Sequence, residues 1–499
     1  MGYADRIVKG ASIVFMLSIL GTGMGYLLRI FIARSLPVDD FGLFYSILTF
    51  FSLFFVIKDF GLGSALVKYI PEFMVKGAYG SIWKSIKSSF FLQLAIGAAL
   101  GLLMFAMSDY IAASFFHSQK ASLLIKLFSV ELVLAVSFLK MLLQGFQKIL
   151  AFSAIESVRI VLIFFFILTT GDPTLMSVAV SYFAASMAIQ IMMALYVTRH
   201  VRGLGNGKTL QGSQKKVMIF GSFVFLGSIS TFFIGSADTM VLTYFRSLYE
   251  VGLYQAAMST SQLLLVFASS ISVILFPVVS EMWAKGRRNE LTTHVEFMIK
   301  FVFLFVAFAA VIFIAFPEII MDLFLSRKYI DSALPLQVLS FGMIFFSMNV
   351  LFSVILNAIG RPKKSTFTMI AVSIFNVAAN IILVPMFGIA GAVVSALSSY
   401  AIGSVIFYSH LRKEIKISVP VRDVLMILLN SLISVAIIYF VKQALSMNIL
   451  KEAAICAVLA GMFYSLIFLK VKIFTKNDMK IIRSSFPESI AGIAQRFSS

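Results

Sequence analysis

Apolar stretches of about 20 residues recur along the chain, parted by short polar phrases rich in glycine, lysine and arginine. A run of that length crosses the hydrocarbon layer of a bilayer as an α-helix. The pattern predicts fourteen spans, at roughly 11–34, 41–57 with a polar continuation, 90–107, 123–143, 149–169, 175–197, 217–244, 251–279, 297–316, 334–356, 366–385, 389–409, 424–440 and 453–469. The expected fold class is therefore an all-α polytopic membrane protein. The first apolar run, 11–33, is too long for a cleavable signal and lacks a small-residue cleavage site, so it is expected to stay as a span.

Charge placement tests this count. The chain holds 41 lysines and arginines against 22 acidic residues, a formal net charge of +19. With the N-terminus in the cytoplasm, only Lys120, Arg246, Arg327, Lys328, Lys442 and Lys451 fall in outside segments, and most of the others fall inside. The bias runs through every loop, as expected when the span count and an N-in, C-in orientation are right. The excess charge is then a cytoplasmic rim and not a nucleic-acid patch. Trp83 and Trp283 fall near the same boundary, where interfacial anchors gather. A multi-pass protein of the plasma membrane is expected. Composition agrees, with 60% hydrophobic and 13% charged residues. One cysteine, Cys456, excludes an internal disulfide, and four scattered histidines argue against a metal centre. No metal or cofactor is expected.

One phrase occurs twice. Arg34-Ser35-Leu36 and Phe41-Gly42-Leu43-Phe44 are answered by Arg246-Ser247-Leu248 and Val251-Gly252-Leu253-Tyr254. Each copy closes the first span of a half and opens the second. "LLQGFQK" at 142–148 loosely parallels "ILNAIGRPK" at 355–363. The halves are spans 1–6 and 7–12, both starting inside, hence parallel repeats about an axis along the membrane normal. The expected organisation is a six-helix bundle at 1–198, a cytoplasmic connector at 199–216, a second bundle at 217–410, helices 13 and 14 at 411–470 and a cytoplasmic tail at 471–499. Two such bundles around a central cavity are the architecture of a carrier. The connector contains Gly207-Lys208-Thr209, but Arg202 stands where a phosphate-binding loop needs its first glycine, and no strand precedes it.

Four segments carry a family resemblance: "LLRIFIARSLPVDDFGLFYSI", "KDFGLGSALVKYIPE", "SADTMVLTYF" and "GRPKKSTFTMIAVSIFNVAANIILVPMFGIAGAVVSAL". In order and spacing they resemble the polysaccharide transporter family, which includes O-antigen flippases, in the multidrug/oligosaccharidyl-lipid/polysaccharide exporter superfamily. The resemblance covers nearly the whole chain. It implies movement of a polyprenyl-(pyro)phosphate-linked oligosaccharide from the inner to the outer leaflet by alternating access. The related lipid II flippases carry a basic position like Arg29 followed by an aspartate like Asp40. They also carry an arginine in span 8, where this chain has only "GLYQAAMSTSQLL", so the anion site cannot be identical.

Ionisable groups at membrane depth are costly and usually face a cavity, which defines the candidate residues. Arg29 is expected either to hold the phosphate of a lipid carrier or to pair with Asp39 or Asp40. Lys58 is a second anion candidate and Asp59 its alternative partner. Gly61 and Gly63 beside them permit a bend. Spans 4 and 5 carry Glu131, Lys140, Glu156 and Arg159, read as a paired network or as a charge-lined wall for the head group. Asp238 in span 7 holds a depth like that of Arg29 in span 1, so the two are expected to approach as an outer gate. The alternative is a local bond from Asp238 to Ser236 or Thr239. Asn376 and Asn380, one turn apart in span 11, either join helices or touch sugar. Glu131, Glu156 and Asp238 are the candidate coupling sites for a proton or sodium ion, with Asp59 and Asp40 as further gate residues.

The partners expected are a lipid-linked oligosaccharide, membrane lipid and a coupling ion, with the protein acting as a monomer and binding no nucleic acid. A cation-coupled multidrug exporter is the alternative carrier, although its cavity should favour acidic groups. An enzyme such as a polysaccharide polymerase or glycosyltransferase would need a large extramembrane loop or an acidic metal motif, and neither appears.

Overall fold

A computed structural model of the chain describes residues 3–201, 207–415, 417 and 421–444. Span 14, Cys456 and the tail lie outside the described residues. The first half runs α1 (Tyr3–Ser35), α2 (Val38–Asp59), α3 (Leu62–Val75), α4 (Tyr79–Ala106), α5 (Ser108–Ser114), α6 (Lys120–Leu134), α7 (Leu139–Gly145), α8 (Ile149–Thr169) and α9 (Leu175–Val201). The second runs α10 (Ser213–Phe245), α11 (Leu248–Ser261), α12 (Leu265–Ala284), α13 (Arg288–Ala315), α14 (Pro317–Phe324), α15 (Ala333–Ala358), α16 (Pro362–Phe387) and α17 (Ile389–Ile415), followed by α18 (Val421–Ala444). Among the described residues, eleven helical segments, from Val38–Val75 to Ile389–Ile415, are long and apolar enough to cross a membrane. A helix satisfies its own backbone, which is why lipid permits this architecture.

Helix lengths repeat with the sequence. Both α1 and α10 have 33 residues, α4 and α13 have 28, and α9 and α17 have 27. A short helix follows the third span of each half, α5 in one and α14 in the other. The halves differ where the helices break. The second span of the first half breaks at Phe60 and Gly61, both left-handed, with φ of 48° and 69°. A Cβ on Gly61 would also strike the backbone oxygen of Gly221 on α10, so glycine is needed there twice over. The fourth span breaks at residues 135–138, between α6 and α7, whereas its counterpart α15 is continuous.

The chain divides into two compact units. One comprises Met1–Gln255 with Ser373–Ala392, and the other Ala256–Val372 with Val393–Ser499. The dividing points fall inside α11, α16 and α17. In the first unit α1 packs on α8, α8 on α9, α4 on α6, and α10 on α2 and α3. Its core includes Leu62, Leu66, Ile70, Phe73, Ile82, Phe138 and Leu142. In the second unit α15 packs on α12 and α13, and α13 on α18. Asn349 of α15 donates to the Tyr400 carbonyl at 3.0 Å, a buried amide joining two apolar helices there.

The twice-written phrase has a structural reason within the first unit. Gly42 on α2 and Gly252 on α11 face each other. A Cβ on Gly42 would meet the Leu248 carbonyl oxygen and lie 2.7 Å from Gly252 N. A Cβ on Gly252 would meet the Val38 carbonyl oxygen and lie 2.8 Å from a Val38 side-chain carbon. Each copy's glycine makes room for the other copy's helix, the small-residue packing that brings membrane helices together. Beyond the phrase, Glu250 holds the α16–α17 turn. Its Oε2 accepts Ile389 N at 3.1 Å, and its Oε1 accepts Arg246 Nε at 3.0 Å.

Candidate functional site

The first unit holds an open cavity of about 620 Å³. Its wall comes from α1 (Leu17, Gly21, Thr22, Gly25, Leu28, Arg29), α2 (Tyr45, Leu48), α7 (Lys140), α8 (Phe152, Ser153, Glu156, Arg159, Ile160, Ile163) and α9 (Tyr182). Four residues singled out from sequence therefore share one hollow. Glu156 is the hub of their charges. Its Oε1 accepts Arg159 Nε at 3.1 Å and a second bond from Arg159 Nη2, while its Oε2 accepts Lys140 Nζ at 3.4 Å. The 156/159 spacing puts both groups on one helix face. The wall thus carries three cations, Arg29, Lys140 and Arg159, against one carboxylate. Such a surplus lining one concave hollow attracts an anion.

Arg29 lines the same hollow. Its guanidinium lies 3.8 Å from the Tyr45 ring centre, and its Nη2 donates to Gln255 Oε1 at 2.9 Å. Its Nε is buried without a hydrogen-bond partner. Neither Asp39 nor Asp40 takes it up; Asp40 instead accepts Lys120 at 2.8 Å.

Asp238 is fully buried elsewhere in the same unit. Its Oδ2 accepts the Tyr254 hydroxyl at 2.7 Å, and its Oδ1 accepts Asn376 Nδ2 at 3.2 Å and also Asn380 Nδ2. The carboxylate thus binds α16 to α10 and α11, and Ser236 and Thr239 do not take that role. Arg29 and Asp238 are not bonded to each other, but neighbouring residues connect them. Gln255, which holds Arg29, donates to Thr239 Oγ1 at 2.8 Å, and Tyr254 beside it holds Asp238.

Lys58, Asp59 and Glu131 lie outside the cavity wall. Lys58 is only 1% exposed, and its ammonium is directed at the carbonyls ending α6. Asp59 does not pair with it. Asp59 Oδ1 accepts Gln93 Nε2 at 2.9 Å and Gly63 N at 3.3 Å, capping α3. Glu131 Oε1 accepts the Ser186 hydroxyl at 2.5 Å. Sequence reasoning passed over Gln93, Gln190, Gln255 and Tyr254. The available signal was a buried amide or phenol inside an apolar run, which must find a partner. A second hollow, of about 800 Å³ between α4, α7 and α9, is mostly apolar, with Trp83, Phe90, Phe91 and Phe138 in its wall.

The family described as "Polysaccharide biosynthesis protein" matches residues 7–283, and the family described as "MatE" matches residues 224–382. A Methanocaldococcus jannaschii protein named "Uncharacterized membrane protein MJ1068" is 29% identical over 97% of this chain and 99% of its own length. The "Probable low-salt glycan biosynthesis flippase Agl15" of Haloferax volcanii is 22% identical over 50% of this chain and 52% of its own. Among solved structures, "Lipid II flippase MurJ, inward closed conformation" superposes with a TM-score of 0.71 at 19% identity, covering 94% of this chain and all of that one. An inward-facing multidrug resistance MATE transporter superposes with a TM-score of 0.65 at 17% identity, covering 81% of this chain and 98% of that one. At these identities the superpositions establish the fold. With its apolar membrane-length helices, the chain is a multi-pass membrane protein of this fold.

Proposed function

We propose, for a chain that belongs to the polysaccharide biosynthesis protein family, that it is a flippase for a polyprenyl-(pyro)phosphate-linked oligosaccharide. The observation that carries the reading is the charge surplus of the cavity, three cations against Glu156 alone. A volume of about 620 Å³ lies within the range of small-molecule sites. The phosphate of the lipid carrier docks between Arg29 and Arg159, whose planar forks match phosphate oxygens. Lys140 adds a point charge. Glu156 holds Arg159 and Lys140 while the cavity is empty and gives them up when the phosphate arrives. The polyprenyl tail stays in lipid. The "flippase" in the name of the Haloferax volcanii relative supports this reading.

Coupling falls to Asp238. A proton or sodium ion taken up there competes with Tyr254, Asn376 and Asn380 for the carboxylate. A shift of Tyr254 moves Gln255, and with it the hold on Arg29. Arg29 and Asp238 then work as a linked gate through these two neighbours.

The test is flux of a defined polyprenyl-pyrophosphate oligosaccharide in reconstituted vesicles. Arg29→Gln combined with Arg159→Gln should abolish flux of the lipid-linked sugar while protein yield and helicity hold. Full flux in that double variant rejects the anion cavity. Normal flux in both Arg29→Gln and Asp238→Asn rejects the gate. The MATE superposition and the MatE match favour one rival, a cation-coupled drug exporter. Displacement of a bound cationic dye, with no response to the lipid-linked sugar, would select it.

A further inference from the structure

We infer that the break in the fourth span is a monovalent-cation site whose cation is the chain's own Lys58 ammonium. An interrupted helix at bilayer depth leaves carbonyls and amides without intrahelical partners, and lipid offers none. Such half-helix C-termini, with their unwound carbonyls, are where dissolved cations bind in membrane carriers. Here α6 ends at Leu134 and Ala135 is extended, at φ −69° and ψ 133°. Lys58 Nζ donates to the Leu132 carbonyl at 2.5 Å, to Val133 at 3.3 Å and to Ala135. Three oxygens converge on one buried nitrogen, at the helix end where the macrodipole favours positive charge.

Three further observations show a built site. Gly97 on α4 leaves room for the guest and its cage: a Cβ there would lie 2.7 Å from both Cε and Nζ of Lys58 and 2.9 Å from the Leu132 carbonyl oxygen. The amides of the break are served separately, Val136 N by Gln190 Oε1 at 3.3 Å and Ser137 N by Gln93 Oε1 at 3.1 Å. The internal repeat supplies a natural control. In register with Gly42 and Gly252, the residue answering Lys58 is Ala268, and the corresponding fourth span, α15, has no break. Cation and interruption occur together in one half and are both absent from the other.

Lys58 is therefore a positioning residue. It fixes the angle at which α7 leaves α6, and α7 carries Lys140 into the cavity wall. The inference does not rest on the flippase reading, because it is read from stability as well as from transport.

The test is chemical rescue. In Lys58→Ala the emptied cage should accept a free cation of similar size. Thermal unfolding of the purified protein is followed in ammonium, methylammonium, sodium or N-methylglucamine chloride at equal ionic strength. The Asp238→Asn background removes any response of the coupling candidate. The unfolding midpoint of Lys58→Ala should fall by roughly 3–10 °C in N-methylglucamine, and ammonium at about 0.2 M should recover half or more of the loss. Lys58→Met fills the same volume without charge, so it should lose as much and recover nothing. Gly97→Ala should imitate Lys58→Met by pushing the ammonium out. In the Asp238-intact protein, Lys58→Ala should lower flux about tenfold or more and ammonium should restore it. An unchanged midpoint, or equal recovery in Lys58→Met, overturns the inference. If no Lys58 variant folds, reductive methylation of the wild-type protein decides it. Lys58 should remain unmodified in the folded state while Lys84 and Lys87 react, and labelling of Lys58 at their rate refutes the cage.

Discussion

Replacing Gly42 by alanine adds one methyl group at the closest approach of α2 and α11. The added carbon would lie 2.7 Å from Gly252 N and 3.1 Å from Gly252 Cα, and nearer still to the Leu248 carbonyl oxygen. All three are backbone atoms of a helix and cannot rotate aside, so the helices must separate. Overpacking of this kind costs about 1–3 kcal/mol. The rigid partners place Gly42 near the top of that range, and alanine's better helix propensity returns only about 1 kcal/mol. A net loss of about 2 kcal/mol is expected for Gly42→Ala, and the same for Gly252→Ala, whose Cβ meets Val38. The double variant should lose clearly less than the sum, because the first methyl has already opened the gap that the second occupies. Unfolding by titration with a denaturing detergent, followed by helix signal, gives the three values. Gly235→Ala is the control, since nothing lies within 4 Å of its Cβ position. Strict additivity, or single variants as stable as the control, would refute the reciprocal contact between the two copies of the repeated phrase.

Other expectations follow from the same geometry. Glu156→Gln releases Arg159 and Lys140 from their shared partner, so affinity for an anionic lipid head should rise several-fold while flux falls, read by substrate-binding titration against vesicle transport. Arg159→Lys keeps the charge but loses the fork, and should bind more weakly than the wild type and more tightly than Arg159→Gln in the same titration. Glu250→Ala leaves Ile389 N and Arg246 without their acceptor, and should increase hydrogen exchange at the α16–α17 turn by about tenfold relative to the α15 interior. Asn380→Leu removes one of the three donors to the buried Asp238 carboxylate and should destabilise the protein by about 1–3 kcal/mol in the detergent titration.

The all-helical class, the run of membrane-length helices and the internal repeat follow from hydrophobic run lengths and the recurring phrase, because a bilayer dictates helix length whatever the helix later touches. Local pairing within α8, between Glu156 and Arg159, is also written in the sequence, since it depends only on helical pitch. The tertiary structure decided the partners of charges that lie far apart along the chain. Arg29 and Arg159 share a hollow, but Lys58 lies outside it, where the interrupted fourth span offers its ammonium the Leu132, Val133 and Ala135 carbonyls. No periodicity announces that interruption; "VELVLAVSFLK" reads as one apolar run. Asp238 likewise finds Asn380, 142 residues away, because only packing brings α10 and α16 within bonding distance. Hydropathy acts on each segment alone and so is legible along the chain. A buried charge is settled by whichever dipoles the fold places around it, and those come from segments the local sequence does not contain.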